Sequence, residues 1–156
     1  FVPEVSSDRL EIIAELETPI EANSLGIRLR LGEGEATAVG YTPKSQLLFV
    51  DRTTAGQSAF NYNFASVHTA PFAPAEGLLK LHIFVDRASI EVLANDGLIS
   101  FSEQIFPGAA SVGVELLAEG TAVTVRNLEI YQLSAAQFRP LHTTADGQLP
   151  AAVAAP

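Results

Sequence analysis

The chain has 156 residues, a formal net charge of −9, 47% hydrophobic residues, and no Cys, Met or Trp. That length suits one domain able to bury roughly two-thirds of its unfolded surface, and the absence of Cys excludes disulfides, thiolate metal sites and a thiol nucleophile. The acidic balance repels phosphate backbones, which argues against nucleic acid as a partner, and no apolar run approaches the ~20 residues of a membrane span.

The chain opens on Phe1 rather than Met and is expected to be a piece of a longer polypeptide. Asp8 to Thr18 places Leu10, Ile12, Ala14 and Leu16 on one face, the period-two pattern of a half-buried strand. Glu, Leu and Ala also favour helices, but the period decides for a strand, which Pro19 ends. Gly26 to Leu31 alternates Ile27, Leu29 and Leu31 inward with Arg28 and Arg30 outward. A Gly-Glu-Gly-Glu turn, a short strand over Ala36 to Tyr41 and a strand over Gln46 to Arg52 follow. Thr53 to Glu76 breaks the pattern with small, polar and aromatic residues, and reads as a long loop with one short strand, ordered by Phe60, Tyr62, Phe64 and Phe72.

Lys80 to Phe106 is the most regular stretch and reads as a three-strand meander. With Arg87-Ala88 as a two-residue turn, Val85 faces Ile90, Ile83 faces Val92 and Leu81 faces Ala94. Closing at Asp96-Gly97, a strong hairpin signal because Gly accepts positive φ, sets Ala94 against Ile99 and Val92 against Phe101. One register satisfies both hairpins and gathers one apolar face. Ala110 to Leu117 and Thr121 to Leu133 read as a further antiparallel pair around Glu119-Gly120, with a bulge in the second strand. Residues 134–156 are Ala- and Pro-rich and read as a tail or linker, leaving residues 1–133 as the folded module. About nine short strands with regular turns and no helix indicate an all-β antiparallel sandwich or barrel.

Two segments echo each other: LFVDRTTAG at Leu48 to Gly56 and IFVDRASIE at Ile83 to Glu91. Each puts Asp-Arg at the end of an apolar strand, and the two ends are expected to lie side by side at one rim. Asp51-Arg52 and Asp86-Arg87 suit a polyhydroxyl ligand, because carboxylates accept from vicinal hydroxyls and guanidinium forks donate to oxygens in pairs. The plainer alternative is that each Asp caps its turn and each Arg pairs with it at the surface. Glu91 with Glu103 and Asp86 offers carboxylates for glycoside hydrolysis, which needs two at a set separation; among 18 acidic residues chance pairs are common. His68, His82 and His142 lack metal-ligand spacing, nothing around Asn95 and Asp96 resembles a calcium loop, and no phosphate loop or nucleophile elbow is present, so no cofactor is expected. Tyr41 and Tyr62, with Phe60 and Phe64, are candidates to flank a small pocket, with core packing as their alternative role.

IFVDRASIEVLANDG, followed by ISFSEQIFP, resembles the signature of the C-terminal β-sandwich of glycoside hydrolase family 32, the invertases, inulinases, levanases and fructosyltransferases. In that pattern an apolar strand runs into Asp-Arg-Ser, then Glu-Val-Phe, a turn ending in Asn-Asp-Gly, and a terminal Phe-Pro. Ala88 and Leu93 stand here in place of the usual Ser and Phe. LLFVDRTTAG is similar to the family's earlier Asp-Arg strand, and the resemblance covers about residues 8–133. It implies an antiparallel β-sandwich of the jelly-roll or concanavalin-like type in an extracellular, secreted setting. The family's catalytic motifs, resembling Trp-Met-Asn-Asp-Pro-Asn-Gly, Arg-Asp-Pro and Glu-Cys, lie in an N-terminal five-bladed propeller, and none occurs here. The resemblance therefore implies a non-enzymatic sandwich whose partner is that catalytic propeller.

The chain is also similar to the family 66 carbohydrate-binding modules, which grip the terminal fructose of levan with acidic residues and Arg. That likeness implies Asp51, Arg52, Asp86, Arg87 and Glu91 as ligand-binding residues, to which the residue pattern adds Tyr41 and Tyr62 as flanking candidates. Two functions follow as expectations: a fructan-binding module, or a structural domain that stabilises the propeller or a dimer and binds no sugar.

Overall fold

Leu10, Ile12, Ala14 and Leu16 are all buried while the residues between them are half-exposed, so the two-residue period is realised as strand β1, Leu10–Glu17. The computed structural model describes residues 5–134; most of the expected tail lies outside them. Nine further strands follow: β2 Ser24–Gly32, β3 Glu35–Thr42, β4 Leu47–Thr54, β5 Val67–Pro71, β6 Leu78–Val85, β7 Ser89–Ala94, β8 Ile99–Gln104, β9 Gly113–Glu119 and β10 Val125–Gln132. The sole helical segment among the described residues is a single 3-10 turn, Ala75–Gly77.

The strands form two five-stranded sheets, ordered β10-β1-β6-β7-β8 and β5-β4-β3-β2-β9, and every pairing between them is antiparallel. The fold is thus the β-sandwich that the alternation implies. Ile12, Leu16, Leu81, Ile83 and Ile90 from one sheet meet Ile27, Leu29, Leu48 and Val50 from the other in one core. Each such side chain, fully withdrawn from water, contributes roughly 1.5–3 kcal/mol. The meander has the register read from its sequence: Val85 opposes Ile90, Ile83 opposes Val92, Val92 opposes Phe101 and Ala94 opposes Ile99. Asp96 and Gly97 carry the positive φ angles, 60° and 82°, of a two-residue hairpin turn.

Two expectations are corrected. Arg30 does not face outward. A bulge shifts the register of β2 after Leu29, Arg30 takes φ 51°, and its side chain turns inward to 3% exposure. The strands near the C-terminus do not pair with each other. β9 pairs with β2 and β10 with β1, so the turn at Gly120, at φ 90°, carries the chain from one sheet to the other.

One glycine ties the sheets at the end that carries the Asp-Arg motifs. Gly56, just past β4, bridges Phe106, just past β8. A Cβ on Gly56 would lie 2.0 Å from the Phe106 carbonyl oxygen, so no other residue admits this approach.

Candidate functional site

Both Asp-Arg motifs sit at that same end. Arg52 donates from Nη1 to the Gln104 carbonyl at 3.1 Å, and the neighbouring Ile105 amide donates to the Ala88 carbonyl at 3.0 Å, in the turn that follows Asp86. The motifs nevertheless do not converge. Asp51 lies on β4 and Asp86 follows β6, strands of different sheets, so they are not the neighbours that the sequence echo suggested. Their side chains line separate clefts on the outward faces of the two sheets.

The first cleft, of about 700 Å³, is lined by Arg9, Phe84, Asp86, Arg87, Ser89 and Glu91 among others. The β6–β7 turn builds it. The Asp86 amide donates to the Ser89 carbonyl at 2.9 Å, and Asp86 Oδ1 accepts from the Arg87 amide at 2.7 Å, capping the turn. Arg87, with a side chain 71% exposed, donates from Nε to Asp8 Oδ2 at 2.8 Å. This bond holds the Asp8 carboxyl below its usual 3.8, with Arg9 adding to the effect. Glu91 points outward on β7 and accepts a short hydrogen bond from the Ser102 hydroxyl on β8. From below, the buried Arg30 donates to the carbonyls of Asp86 and Arg87 at 3.3 and 3.0 Å, and to those of Ser111 and Gly108 at 2.7 and 3.4 Å. Burial pushes the Arg30 pKa down, opposed by the nearby carboxylates of Asp8, Glu35 and Asp86. One guanidinium fork thus fixes the turn that displays Asp86 and Arg87.

Arg52 takes the face opposite to Asp51 and points into the sandwich edge. Its Nε lies 3.2 Å from Glu103 Oε2, and its guanidinium sits 4.4 Å over the Phe64 ring. Glu103, 6% exposed, also holds His68 Nδ1 at 2.6 Å. Beside this group Phe64 stacks on Phe106 and Phe60 meets both rings at steeper angles, which ties the long loop after β4 to the segment after β8. Arg52 is therefore committed to an internal ion pair. Glu91 and Glu103 alternate with opposite orientation, since Ile90 opposes Glu103 while Glu91 opposes Ser102. They occupy opposite faces of one sheet and do not form a carboxylate pair for hydrolysis.

The two tyrosines also part. Tyr41, at 2% exposure, is a core residue set edge-on against Phe72, and burial raises its pKa; it lines no open cleft because position 41 faces inward on β3. Tyr62 is 93% exposed in the loop after β4 and lines neither cleft. Local patterns set Arg30 outward, and name Glu103 and His68 without joining them. The one available signal was an acidic residue at an inward position of β8, in step with Ile99 and Phe101. Among the described residues no group of three or more His, Asp or Glu could hold a metal ion, and no helix is long and apolar enough to cross a membrane.

Comparison with known proteins agrees with this architecture. A levanase of Bacillus sp. (strain L7) is 42% identical over 131 residues, covering 83% of this chain and 14% of the relative. An extracellular exo-inulinase of Aspergillus awamori is 37% identical over 117 residues, covering 73% of the chain and 22% of the relative. The chain therefore spans less than a quarter of the length of these relatives. The crystal structure of the exo-inulinase from A. awamori superposes with a TM-score of 0.77 at 32% identity, over 84% of this chain and 26% of that one. A fructosyltransferase from A. japonicus shares the fold, with a TM-score of 0.69 at 23% identity over 81% of this chain and 22% of that one. The model of the family described as "Glycosyl hydrolases family 32 C terminal" matches residues 2–132, nearly the whole sandwich, and the chain belongs to that family of C-terminal domains.

Proposed function

We propose that the chain is a non-catalytic, fructan-binding module of a larger fructan-active hydrolase, and that the Asp86–Arg87–Glu91 cleft takes a terminal fructosyl unit. The observation that carries this reading is the cleft itself. It displays a capped carboxylate, an exposed guanidinium and an outward glutamate around one opening. A fructofuranose has several hydroxyls and little apolar face, so hydrogen bonds must supply its recognition, and this set of acceptors and donors fits that need. The names of the similar proteins, levanase and extracellular exo-inulinase, support the substrate class and an extracellular setting. Glu91 and Glu103, the acidic candidates on adjacent strands, lie on opposite faces of their sheet and form no pair for hydrolysis.

Each net hydrogen bond contributes about 0.5–1.5 kcal/mol, or up to ~3 kcal/mol with a charged partner. A few of them, less the cost of association, give binding in the millimolar to micromolar range. The test is a calorimetric titration of the chain with levan, inulin and sucrose, repeated on folded Asp86→Ala and Arg87→Ala variants. Binding by the parent that both variants lose is the expected result. Equal binding by both variants moves the site elsewhere.

A second reading has its own support. Phe60 and Tyr62 are large exposed rings at 63% and 93% exposure, and most of each relative's length lies outside the matched region. On this reading the sandwich packs against the catalytic propeller and binds no sugar, and an absence of fructan binding by the parent chain would select it.

A further inference from the structure

The outward face of the other sheet carries a cleft that the fructosyl reading does not use. Antiparallel register sets its residues in rows across the strands. In one row Arg28 on β2 opposes Ala38 on β3, and Ala38 opposes Asp51 on β4. In the next, Leu117 on β9 opposes Gly26, Gly26 opposes Gly40, and Gly40 opposes Phe49. The first row is a cation, a methyl group and a carboxylate, and the charged residues stand two strand spacings apart, about 9.5 Å. The second row places two glycines between two large apolar residues.

The glycines make the floor. A Cβ on Gly40 would come within 2.7 Å of Phe49 Cζ, so the Phe49 ring lies down on the Gly40 backbone instead of standing away from the sheet. Leu117 is buried although its position faces outward. The result is a cleft of about 350 Å³ with an apolar floor and a charged rim. The rim groups are already oriented. Asp51 Oδ1 accepts from the Thr53 amide at 2.9 Å and the Thr53 hydroxyl at 2.6 Å, and no donor among the described residues reaches Oδ2. Arg28 is drawn to the far side by Glu115 at 3.0 Å and Glu119 at 3.5 Å, which leaves the space over Ala38 open.

We infer that this cleft is a second sugar site, distinct from the Asp86 cleft, and that it takes a neutral pyranose ring. The sugar's apolar C–H face packs on Phe49 and Leu117, and its adjacent hydroxyls donate to Asp51 Oδ2. A pyranose fits better than a fructofuranose because only the former has a broad C–H face to set against an aromatic ring. A charged ligand does not fit, since the rim already holds carboxylates and a guanidinium close together. The location of this site is independent of the fructosyl reading.

The test is an amide-resolved NMR titration of the full 156-residue chain with glucose, galactose and mannose in turn, and separately with a short levan oligosaccharide. Saturable shifts at Ala38, Gly40, Phe49 and Asp51 with at least one of the three aldohexoses are expected. Asp51→Asn keeps the shape and the acceptor for Thr53 but removes the charge, and should weaken that binding about tenfold. Phe49→Leu keeps the apolar volume but removes the ring, and should weaken it as well, while Asp86→Ala should leave it unchanged. No saturable shift at these four residues with any aldohexose, or equal binding by Asp51→Asn, would overturn the inference. Levan shifts confined to Asp86, Arg87 and Glu91, without an aldohexose response, would retain the fructosyl reading and reject this one. The opposite pattern would retain this site and reject the other.

Discussion

Arg30 reaches from a bulge in β2 across to the other sheet and donates from Nη1 to the Arg87 carbonyl at 3.0 Å. One buried cation therefore sets the conformation of the turn that presents another, exposed one. The same guanidinium also holds the carbonyls of Asp86, Gly108 and Ser111, so a single side chain couples both sheets to the rim of the proposed fructosyl cleft.

Arg30→Met removes the donor but keeps much of the apolar stem. It leaves four carbonyls short of a partner in a place that water reaches poorly, and the expected loss is about 3 kcal/mol. Arg30→Lys should recover little of it, because one ammonium cannot span four carbonyls that lie around a planar fork. Urea unfolding of the three proteins is the measurement. A Lys variant as stable as the parent would show that charge, rather than fork geometry, holds the turn.

The register of the meander gives the second prediction. Val92 is fully buried and opposes Ile83 on one side and Phe101 on the other. Val92→Asp would place an unpaired carboxylate in the core and should cost more than ~3 kcal/mol. Ser100→Asp, at an outward position of β8, should change stability by less than about 0.5 kcal/mol. Thermal melts of the pair decide, and equal midpoints would contradict the inward assignment of Val92.

These residues also show what local pattern carries. The meander was legible because its apolar residues, its two turn dipeptides and the two-residue period all demand one register. Arg30 was not, because Ile27, Arg28, Leu29, Arg30 and Leu31 alternate without fault and nothing local marks the bulge that inverts position 30. The link from β9 to β10 failed for a different reason. A turn at Glu119-Gly120 looks the same whether the chain returns to its own sheet or crosses to the opposite one, and side-chain period does not name the strand's partner. The candidate site suffered from the same blindness. Asp51-Arg52 and Asp86-Arg87 are alike in sequence, but β4 and β6 lie in different sheets, and only that placement separates one cleft from two. Glu103 was legible as inward on β8, but its pairing with Arg52 depends on which edges of the sandwich meet.

Acid should reveal the role of Glu35. Its Oε2 accepts from the Ser111 hydroxyl at 2.6 Å and the Gly108 amide at 2.7 Å, and these bonds, the hydroxyl first, lower its pKa from the usual 4.5. A carboxylate whose folded pKa is depressed contributes stability above its unfolded value and loses it as pH falls through the folded value. Glu35→Gln should therefore be less stable than the parent at neutral pH, and the gap should narrow as pH falls below the usual 4.5 and through the lower folded value. Urea melts at neutral and acid pH measure the gap. A difference that is the same at neutral pH and in acid, with Glu35 protonated, would mean that the contribution of Glu35 does not depend on its charge.

The ion pair that closes the sandwich edge supplies the last prediction. Arg52 and Glu103 approach to 3.2 Å with side chains only 12% and 5% exposed, so solvent screens them little. Glu103 also holds His68 at 2.6 Å, and Arg52 also covers Phe64. Single substitutions therefore mix several effects. Glu103→Gln strips the charge from the partner of a poorly solvated guanidinium, and Arg52→Met leaves Glu103 with His68 alone. A double-mutant cycle separates the direct term from these side effects. We expect a coupling of about 1–2 kcal/mol between Arg52 and Glu103, larger than the ~0.5 kcal/mol typical of an exposed pair. Adding His68→Ala to each corner of the cycle should leave that coupling nearly intact, since His68 binds the other carboxylate oxygen. A coupling near zero would mean that the aromatic packing of Phe60, Phe64 and Phe106, rather than the charge pair, closes this edge.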